Sequence, residues 1–328
     1  MARGFRGIIG DIAEGQASGH YSKRLVLEAS GMEIVVVGHL SRDLIITPET
    51  TREVLGGGTA YAMLAMKLEA FGAGIISCVG TDFEEDYLQT LQDSGLDIDG
   101  LRYRGRKSTR FVNEYDENGV RTQRLEARAP PLKPDDMQSK YLGASIYHFC
   151  PLTAEEIPLS MIEIARSSGG LVSLDVQGYL RDVEGEDVVK REWPDRDEVV
   201  SLTDVVKLDD SELELAVDAK SELSAATELL ALGPRMVVVT RDKRGSTIYT
   251  RNIQVDIPLV LANAQVDSTG CGDSYTIGFL LEYMRTGDVR RAGLFGATCS
   301  SFNVENVGPY NLPSKEQVLR RMKPYSQA

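Results

Sequence analysis

The segment from Asp267 to Asp273, with the sequence DSTGCGD, contains the residue types that phosphate chemistry requires. It is followed by apolar residues at helical spacing, namely Ile277, Leu280, Leu281 and Met284. The glycines are therefore predicted to lie at the N-terminus of a helix, where backbone N–H groups can approach an anion and the helix dipole adds positive potential. Such an anion hole suits the charge that develops on a transferring phosphoryl group.

Asp273 is the candidate for proton transfer in this segment. A carboxylate beside a phosphate repels it, unless the carboxylate accepts a proton from the attacking hydroxyl group. General-base catalysis of this kind contributes about 10²–10⁴-fold to the rate. We predict this role for Asp273, and the alternative is that its charge only stabilises the helix dipole.

The elements that must position this segment follow from the hydrophobic pattern. Continuous apolar runs predict strands buried on both faces, at Ile34–Val37, Ile75–Val79, Ile146–Phe149, Leu171–Leu174, Asp204–Leu208 and Met236–Thr240. Helical stripes lie between them, with one over Ala60, Leu64, Leu68 and Phe71 that ends at Gly72, and one over Tyr87, Leu88 and Leu91 that ends at Gly95. Strands alternating with helices predict an α/β fold, with a doubly wound and mainly parallel sheet covered by helices on both faces.

Two stretches depart from this alternation. Arg42–Leu55 favours extended chain, and Ser108–Ala127 contains two β-prone runs on either side of Asn118-Gly119, a dipeptide typical of tight hairpins. The two excursions predict a small β-sheet over one end of the large domain. The alternative is an ordinary surface hairpin.

Composition and charge exclude several classes of protein. The chain has 328 residues, with 36 Lys and Arg against 49 Asp and Glu, so its formal net charge is −13. A nucleic-acid partner is disfavoured because duplex binding needs a basic face. No apolar run approaches the roughly 18 residues of a membrane span, and scattered cysteines without a CxxC pair are typical of a cytoplasmic protein. We expect residues 1–31 to be an N-terminal extension outside the core, which begins near Met32.

The DSTGCGD segment resembles the D-T-x-G-A-G-D signature of the ribokinase-like (PfkB) carbohydrate and nucleoside kinases, with Ser268 in place of Thr and Cys271 in place of Ala. The resemblance extends over nearly all of residues 32–328. It implies a single kinase domain with a lid formed by about 41–56 and 105–128, with ATP as phosphoryl donor and Mg²⁺ as cofactor. It also implies that Asp273 is the base and that Gly270, Cys271 and Gly272 supply the N–H groups of the anion hole.

The resemblance also implies an acceptor side. Asp43 and the glycine pair of Gly57-Gly58-Thr59 match residues that contact acceptor hydroxyls in this family. The asparagine that many sugar kinases have just after the glycines is missing, which argues against a ribose or fructose-phosphate acceptor. Gln177 and Arg181 lie in a segment similar to the family's D-x-N-x-R region, with Gln for Asn and the Arg displaced by two positions. An arginine there could clamp phosphate or acceptor oxygens. This Asp-Gln-Arg variant, together with Gly57-Gly58-Thr59-Ala60, most resembles the inositol-kinase-like branch.

On the nucleotide side, the resemblance implies a set of donor contacts, comprising Lys207, Thr240, Arg241, Gly245, Ser268, Gly270, Gly272 and Asn303. Asp209 and Glu212 lie where the family has its N-x-x-E motif, which organises Mg²⁺. Without the resemblance, the sequence around them would indicate only an acidic helix start.

These observations predict a kinase that transfers the γ-phosphate of ATP to a small polyol or sugar, with a myo-inositol-like acceptor favoured and a nucleoside as the alternative. A dinucleotide-binding dehydrogenase is disfavoured, because Gly38 is followed by His39-Leu40-Ser41 rather than by the G-x-G-x-x-G pattern. A catalytically silent metabolite-binding module is disfavoured by the presence of Asp273. Lids of this family often join subunits, so a homodimer through the lid is expected.

Overall fold

The computed structural model describes residues 31–117 and 121–326, and two β-sheets organise them. Within these residues the large sheet contains β1 (Ile34–Val37), β4 (Ala73–Val79), β5 (Asp97–Tyr103), β8 (Ile146–Phe149), β9 (Leu171–Asp175), β12 (Val205–Asp209), β13 (Met236–Thr240), β14 (Ser246–Thr250) and β15 (Gln254–Ile257). The small sheet contains β2 (Ser41–Ile46), β3 (Thr51–Gly56), β6 (Arg110–Tyr115), β7 (Arg121–Ala127), β10 (Arg181–Glu184) and β11 (Asp187–Lys190).

The large sheet has the strand order β15-β14-β13-β12-β9-β8-β1-β4-β5. Neighbours from β13 to β5 are parallel, and β14 and β15 join as antiparallel strands at one edge. The alternate residues of β1 belong to two different hydrophobic cores, with Ile34 and Val36 on one face and Val35 and Val37 on the other. This confirms the predicted doubly wound sheet, whose continuous apolar runs are buried on both sides.

Helices cover both faces of the large sheet. Their bounds are α1 (Met63–Lys67), α2 (Glu85–Asp93), α3 (Leu159–Ser168), α4 (Arg196–Ser201), α5 (Asp210–Ala216), α6 (Glu222–Leu232), α7 (Cys271–Thr286), α8 (Val289–Asn303) and α9 (Lys315–Met322). Helices α1, α2, α7, α8 and α9 contribute to the core that contains Ile34, and α3 to α6 contribute to the core that contains Val35. Short 3₁₀ helices lie at Gly58–Ala62, Pro134–Asp136, Ser139–Tyr141, Gln177–Leu180, Asp242–Arg244 and Lys323–Tyr325.

The first predicted helix is shorter than its apolar stripe. Helix α1 ends at Lys67, and Glu69 then adopts a positive φ of 61° as the chain turns into β4. The prediction that Phe71 completes the buried stripe was wrong, because its side chain is 47% exposed. Gly72 does not cap the helix; a Cβ at this position would lie 2.1 Å from the carbonyl oxygen of Gly31, so glycine permits a close chain crossing. Similarly, Met284 is 36% exposed at the far end of the apolar face of α7.

The small sheet has the order β10-β11-β7-β6-β2-β3. The two predicted excursions form four of these strands, and β6 and β7 pair antiparallel as a hairpin requires. Asn118 and Gly119, the predicted turn, lie outside the described residues, as do residues 1–30 of the predicted extension. The sequence did not predict β10 and β11, which extend the sheet beyond β7 through the pairing of Asp187 with Arg124. Among the residues that the structure describes, none of the helices is both long and apolar enough to cross a membrane.

Candidate active site

A cavity of about 510 Å³ lies where the two sheets meet. Its walls include Asp175, Asp209 and Thr240, each at the carboxyl end of a parallel strand of the large sheet. Residues of β2, β6 and β7 in the small sheet form the opposite wall. Ligands of doubly wound folds bind at this edge of the parallel sheet.

The DSTGCGD segment forms one side of the cavity, as a loop leading into α7. Gly270 caps the helix with a φ of 77°, and a Cβ there would lie 1.8 Å from Cζ of Tyr61. The carbonyl oxygen of Thr269 accepts hydrogen bonds from the Tyr61 hydroxyl at 3.2 Å and from Nδ2 of Asn303 at 2.8 Å. Oδ1 of Asp267 accepts hydrogen bonds from the backbone N–H of Thr269 at 2.9 Å and from its hydroxyl at 2.8 Å. These contacts fix the loop in one conformation.

The N–H groups of the loop differ in their availability. The N–H of Cys271 donates to the carbonyl oxygen of Ser268 at 3.2 Å, so this member of the predicted set of Gly270, Cys271 and Gly272 is already engaged within the loop. No backbone carbonyl of the described chain accepts a hydrogen bond from the N–H of Gly272, which lies in the first turn of α7. First-turn N–H groups and the helix dipole together form an anion site.

The carboxylate of Asp273 lies in the cavity wall against the predicted glycine pair. A Cβ on Gly58 would lie 2.6 Å from Oδ1 of Asp273 and 2.7 Å from Sγ of Cys150. Gly57 has a φ of 85°, and a Cβ there would lie 2.2 Å from the carbonyl oxygen of His39. The two glycines therefore let the chain pass directly beside the proposed base.

Burial and, to a lesser extent, the charge of Asp175 together raise the pKa of Asp273 to about 6, although the charge of Lys207 opposes the shift. A general base works best when its pKa lies close to the working pH. The position of Asp273 thus gives it a proton affinity suited to accepting a proton from a hydroxyl group.

Lys207 and Asp175 form an ion pair beside the loop. They are register partners on β12 and β9, and Nζ of Lys207 lies 3.0 Å from Oδ2 of Asp175. Burial alone would lower the pKa of Lys207, but the Asp175 carboxylate outweighs it and the lysine remains charged. A Cβ on Gly272 would lie 2.8 Å from Nζ of Lys207, so this buried cation lies next to the free N–H of Gly272.

The predicted acceptor residues separate into two groups. Asp43, Gly57, Gly58, Gln177 and Arg181 line the cavity. Thr59 is fully buried and does not line it.

Asp43 and Arg181 are the charged members of this acceptor group. Burial raises the pKa of Asp43 to about 6, and its Oδ1 is buried with no hydrogen-bond partner among the described residues. Arg181 is half-buried in β10, and burial lowers its pKa. Its guanidinium forms no hydrogen bond or ion pair with the rest of residues 31–117 and 121–326, which leaves it available to a ligand.

On the predicted nucleotide side, Thr240, Arg241, Gly245 and Ser268 line the cavity. The guanidinium of Arg241 is already engaged, because it donates to Oε2 of Glu222 at 2.7 Å and to the hydroxyl of Thr247 at 2.6 Å. Asn303 does not line the cavity. Its hydrogen bond to Thr269 indicates that it positions the loop, whereas the sequence predicted a nucleotide contact.

Asp209 and Glu212, the predicted magnesium residues, cap α5 reciprocally. The N–H of Glu212 donates to Oδ1 of Asp209 at 2.7 Å, and the N–H of Asp209 donates to Oε2 of Glu212 at 2.8 Å. Asp209 lines the cavity, but Glu212 does not, and burial raises the pKa of Glu212 to about 7. Within the described ranges no three His, Cys, Asp or Glu side chains are arranged to hold a metal ion. These residues fit an ion that keeps most of its water and binds one carboxylate plus phosphates, as Mg²⁺ commonly does.

Several cavity residues were not predicted from the sequence. They are Ser41, Tyr61, Phe111, Asn113, Arg121, Gln123 and Leu152. Those on β2, β6 and β7 alternate with the two-residue period of a strand, and this pattern in the sequence could have indicated them. The sequence did not show which face of the hairpin would meet the cavity.

Comparison with known proteins gives a consistent picture. A model of the pfkB family of carbohydrate kinases matches residues 32–316. The cytidine kinase of Thermococcus kodakarensis is 31% identical over 258 residues, which cover 77% of this chain and 89% of that protein. The nucleoside kinase of Methanocaldococcus jannaschii is 27% identical over 311 residues, covering 89% of this chain and 97% of that protein.

The solved structures agree on the fold. The crystal structure of the M. jannaschii nucleoside kinase superimposes with a TM-score of 0.70 and 25% identity, over 90% of this chain and 99% of that one. A pyrophosphate-dependent kinase in the ribokinase family, complexed with a pyrophosphate analog and myo-inositol, gives a TM-score of 0.76 at 22% identity, over 88% of this chain and 99% of that one. These neighbours confirm the ribokinase-like fold.

Proposed function

This chain belongs to the pfkB family of carbohydrate kinases, and we propose that it transfers the γ-phosphate of ATP to a hydroxyl group of a nucleoside. The family membership confirms the resemblance found in the sequence and makes the chain a phosphotransferase that acts on a hydroxyl of a sugar or nucleoside. The observation that carries the proposed mechanism is the position of Asp273, a half-buried carboxylate with a pKa of about 6, beside a helix N-terminus and a buried lysine.

In the proposed mechanism, the acceptor hydroxyl lies against Asp273 and gives up its proton to this carboxylate as it attacks the phosphorus. The N–H of Gly272 and the Lys207 ammonium stabilise the charge on the transferring group, since both face the same part of the cavity. Asp43 accepts a hydrogen bond from a second acceptor hydroxyl through its unpartnered Oδ1.

Asp209 would hold a Mg²⁺ ion through water. The Glu212 carboxylate would keep the Asp209 backbone in place by accepting a hydrogen bond from its N–H. When bound, the ion neutralises phosphate charge. The small sheet would act as a lid that excludes water and so limits hydrolysis of ATP. Dimerisation through this lid and a cytoplasmic location stay predictions.

ATP is favoured over pyrophosphate as donor because the cavity has a largely apolar group of lining residues besides the anion hole. This group consists of residues 258–262 together with Ala297 and Val304. An apolar lining suits a nucleobase, whereas pyrophosphate has no group that would use it. A donor panel of ATP, GTP and pyrophosphate tests this choice, and equal or higher turnover with pyrophosphate would contradict it.

A nucleoside acceptor is favoured over myo-inositol by the curated relatives, which include a cytidine kinase at 31% identity. The sequence prediction preferred an inositol-like acceptor because Asp175, Gln177 and Arg181, together with the Gly57–Ala60 segment, resemble the inositol-kinase-like branch. The myo-inositol complex is only 22% identical to this chain and so supports the fold alone. The choice is tested by measuring phosphorylation of cytidine, uridine, adenosine, inosine, ribose and myo-inositol under the same conditions.

The mechanism is tested by Asp273→Asn, which keeps the shape of the side chain but removes its basicity. We expect turnover to fall by about 10²–10⁴-fold while nucleotide binding, measured by calorimetry, is retained. The matched control is Asp97→Asn, since Asp97 is a carboxylate on β5 that does not line the cavity. Near-normal turnover of Asp273→Asn would remove Asp273 as the base.

A further inference from the structure

Two amide side chains on the small sheet form a pair in the cavity wall. Asn113 on β6 and Gln123 on β7 are register partners, and Nε2 of Gln123 donates to Oδ1 of Asn113 at 2.8 Å. Both residues line the cavity, and Asn113 is 1% exposed. Neither residue belongs to the proton-transfer or phosphate-binding groups described above.

The mutual hydrogen bond leaves the amide nitrogen of Asn113 and the amide oxygen of Gln123 unused. In the described part of the chain, Nδ2 of Asn113 and Oε1 of Gln123 have no side-chain partner. If both amides rotate by 180°, the donor and the acceptor exchange places and the bond between them is kept. The pair therefore offers a ligand one donor beside one acceptor, in either order.

An apolar surface lies next to the amide pair. Phe111 precedes Asn113 by two residues on β6, so both side chains point to the same face of the sheet. Phe111 packs with Leu125 and Leu152, and both Phe111 and Leu152 reach the cavity. A planar heteroaromatic ring suits a site with an apolar wall and a polar edge. A fully hydroxylated ring would instead bury hydroxyl groups against Phe111 and Leu152 without partners, which is unfavourable.

We propose that Asn113 and Gln123 recognise the hydrogen-bonding edge of the acceptor's base, and that Phe111 and Leu152 contact its ring. This inference rests on the proposed nucleoside kinase function and names the residues that set its base specificity. Because the amide pair can reverse, it accepts both an edge with an amino group beside a ring nitrogen and an edge with a carbonyl beside a ring N–H. The wild-type protein is therefore expected to phosphorylate cytidine and uridine with similar efficiency.

Gln123→Glu removes this reversibility. A carboxylate only accepts hydrogen bonds, so Nδ2 of Asn113 must donate to it, and both groups left facing the base are then acceptors. Cytosine and uracil each present one donor beside one acceptor, so each base then has one acceptor facing an acceptor, and the kcat/KM for cytidine and for uridine should each fall by roughly 10- to 100-fold while the KM for ATP is unchanged. Asn113→Asp leaves two acceptors for the same reason and should lower both kcat/KM values to a similar extent.

The matched control is Thr122→Glu, which adds the same charge one residue away on the exposed face of β7 and should leave both kcat/KM values unchanged. Nucleoside kcat/KM values that stay within about two-fold of the wild type in Gln123→Glu and Asn113→Asp would overturn the base-recognition role alone. A wild-type protein that phosphorylates no nucleoside would overturn the proposed function and this inference together. A wild-type protein that phosphorylates only one of cytidine and uridine would also contradict the inference.

Discussion

Oδ1 of Asp273 lies 2.6 Å from the point that a Cβ atom on Gly58 would occupy. This distance is shorter than any real Cβ contact with a side-chain oxygen, so no other residue fits at position 58 while Asp273 keeps its place. Sγ of Cys150 closes the opposite side at 2.7 Å. Gly58 was predicted to contact the acceptor. Its geometry shows a second role, because the absence of a side chain at this position leaves space for the Asp273 carboxylate.

Gly58→Ala should therefore impair catalysis by displacing Asp273. We expect kcat to fall by about 10²-fold or more, because a misplacement of about 1 Å at a reacting group has an effect of that size. Nucleotide affinity should change little, since the anion hole and Lys207 do not touch Gly58. Steady-state kinetics together with calorimetric titration of ATP measure the two quantities separately.

Gly74→Ala is the control for this substitution. Gly74 is buried in β4, outside the cavity, and a Cβ there would lie 2.9 Å from the Tyr141 ring. The Gly74→Ala substitution introduces comparable crowding and should lower the melting temperature without a specific loss of kcat. If Gly58→Ala and Gly74→Ala reduced kcat equally, general destabilisation would explain the result and the positioning argument would fail.

The pH dependence of the reaction should show the raised pKa values of Asp273 and Asp43, each about 6. The base must be ionised to accept a proton, so kcat/KM for the acceptor should fall as the pH drops through 6, rather than through the ordinary carboxyl range near 4. Because both carboxylates ionise in this range, the acid limb of log kcat/KM should have a slope between one and two. The measurement is a pH profile at saturating ATP and Mg²⁺.

Asp43→Asn separates the two carboxylates. With Asp43 removed, the acid limb should remain centred near 6 but its slope should approach one, because Asp273 is then the remaining group of the pair. An acid limb that moves to about pH 4 in this variant would show that Asp273 has an ordinary pKa, contrary to the effect of its burial.

Substitutions of Lys207 and Asp175 should have coupled effects on the free energy of unfolding but not on activity. Both are almost fully buried, at 5% and 6% exposure, so removal of one partner leaves an unpaired buried charge and should cost about 3–5 kcal/mol in the free energy of unfolding. In the double variant Asp175→Asn/Lys207→Met, much of this loss should be recovered, as a double-mutant cycle by urea denaturation would measure. Activity should stay low in both variants that lack Lys207, because the cation beside Gly272 is absent. Additive stability losses would contradict the coupling.

The fold was largely predictable because the apolar pattern that specifies each buried strand lies within that strand. Continuous apolar runs such as Ile34–Val37 and Met236–Thr240 coincide with strands buried on both faces, and the structure confirms the same bounds. The helix before Gly72 was predicted too long because a stripe of apolar residues does not show where the chain must turn. There, the close approach of Gly72 to Gly31 and the start of β4 decide the end of the helix.

The site was predictable only where its residues follow one another in sequence. The DSTGCGD loop and the glycine pair form recognisable motifs, whereas Asp175, Lys207 and Gly272 come together from three separate elements. Asn113 and Gln123 are ordinary strand residues until the hairpin folds over the cavity, and the role of Asn303 depends on a hydrogen bond to a residue 34 positions away. These contacts are set by tertiary packing, which a single sequence does not display.

Arg181 should determine the affinity for the acceptor. Its guanidinium lines the cavity and has no ion pair within the described chain, so its charge is available to acceptor oxygens. Arg181→Ala should raise the acceptor KM by roughly 10- to 100-fold, while the KM for ATP stays within about three-fold of the wild type. Arg181→Lys should restore little, because lysine keeps the charge but loses the planar pair of donors. Initial rates over a matrix of acceptor and ATP concentrations measure both constants. An unchanged acceptor KM in Arg181→Ala would rule out this contact, and full recovery in Arg181→Lys would show that charge alone is sufficient.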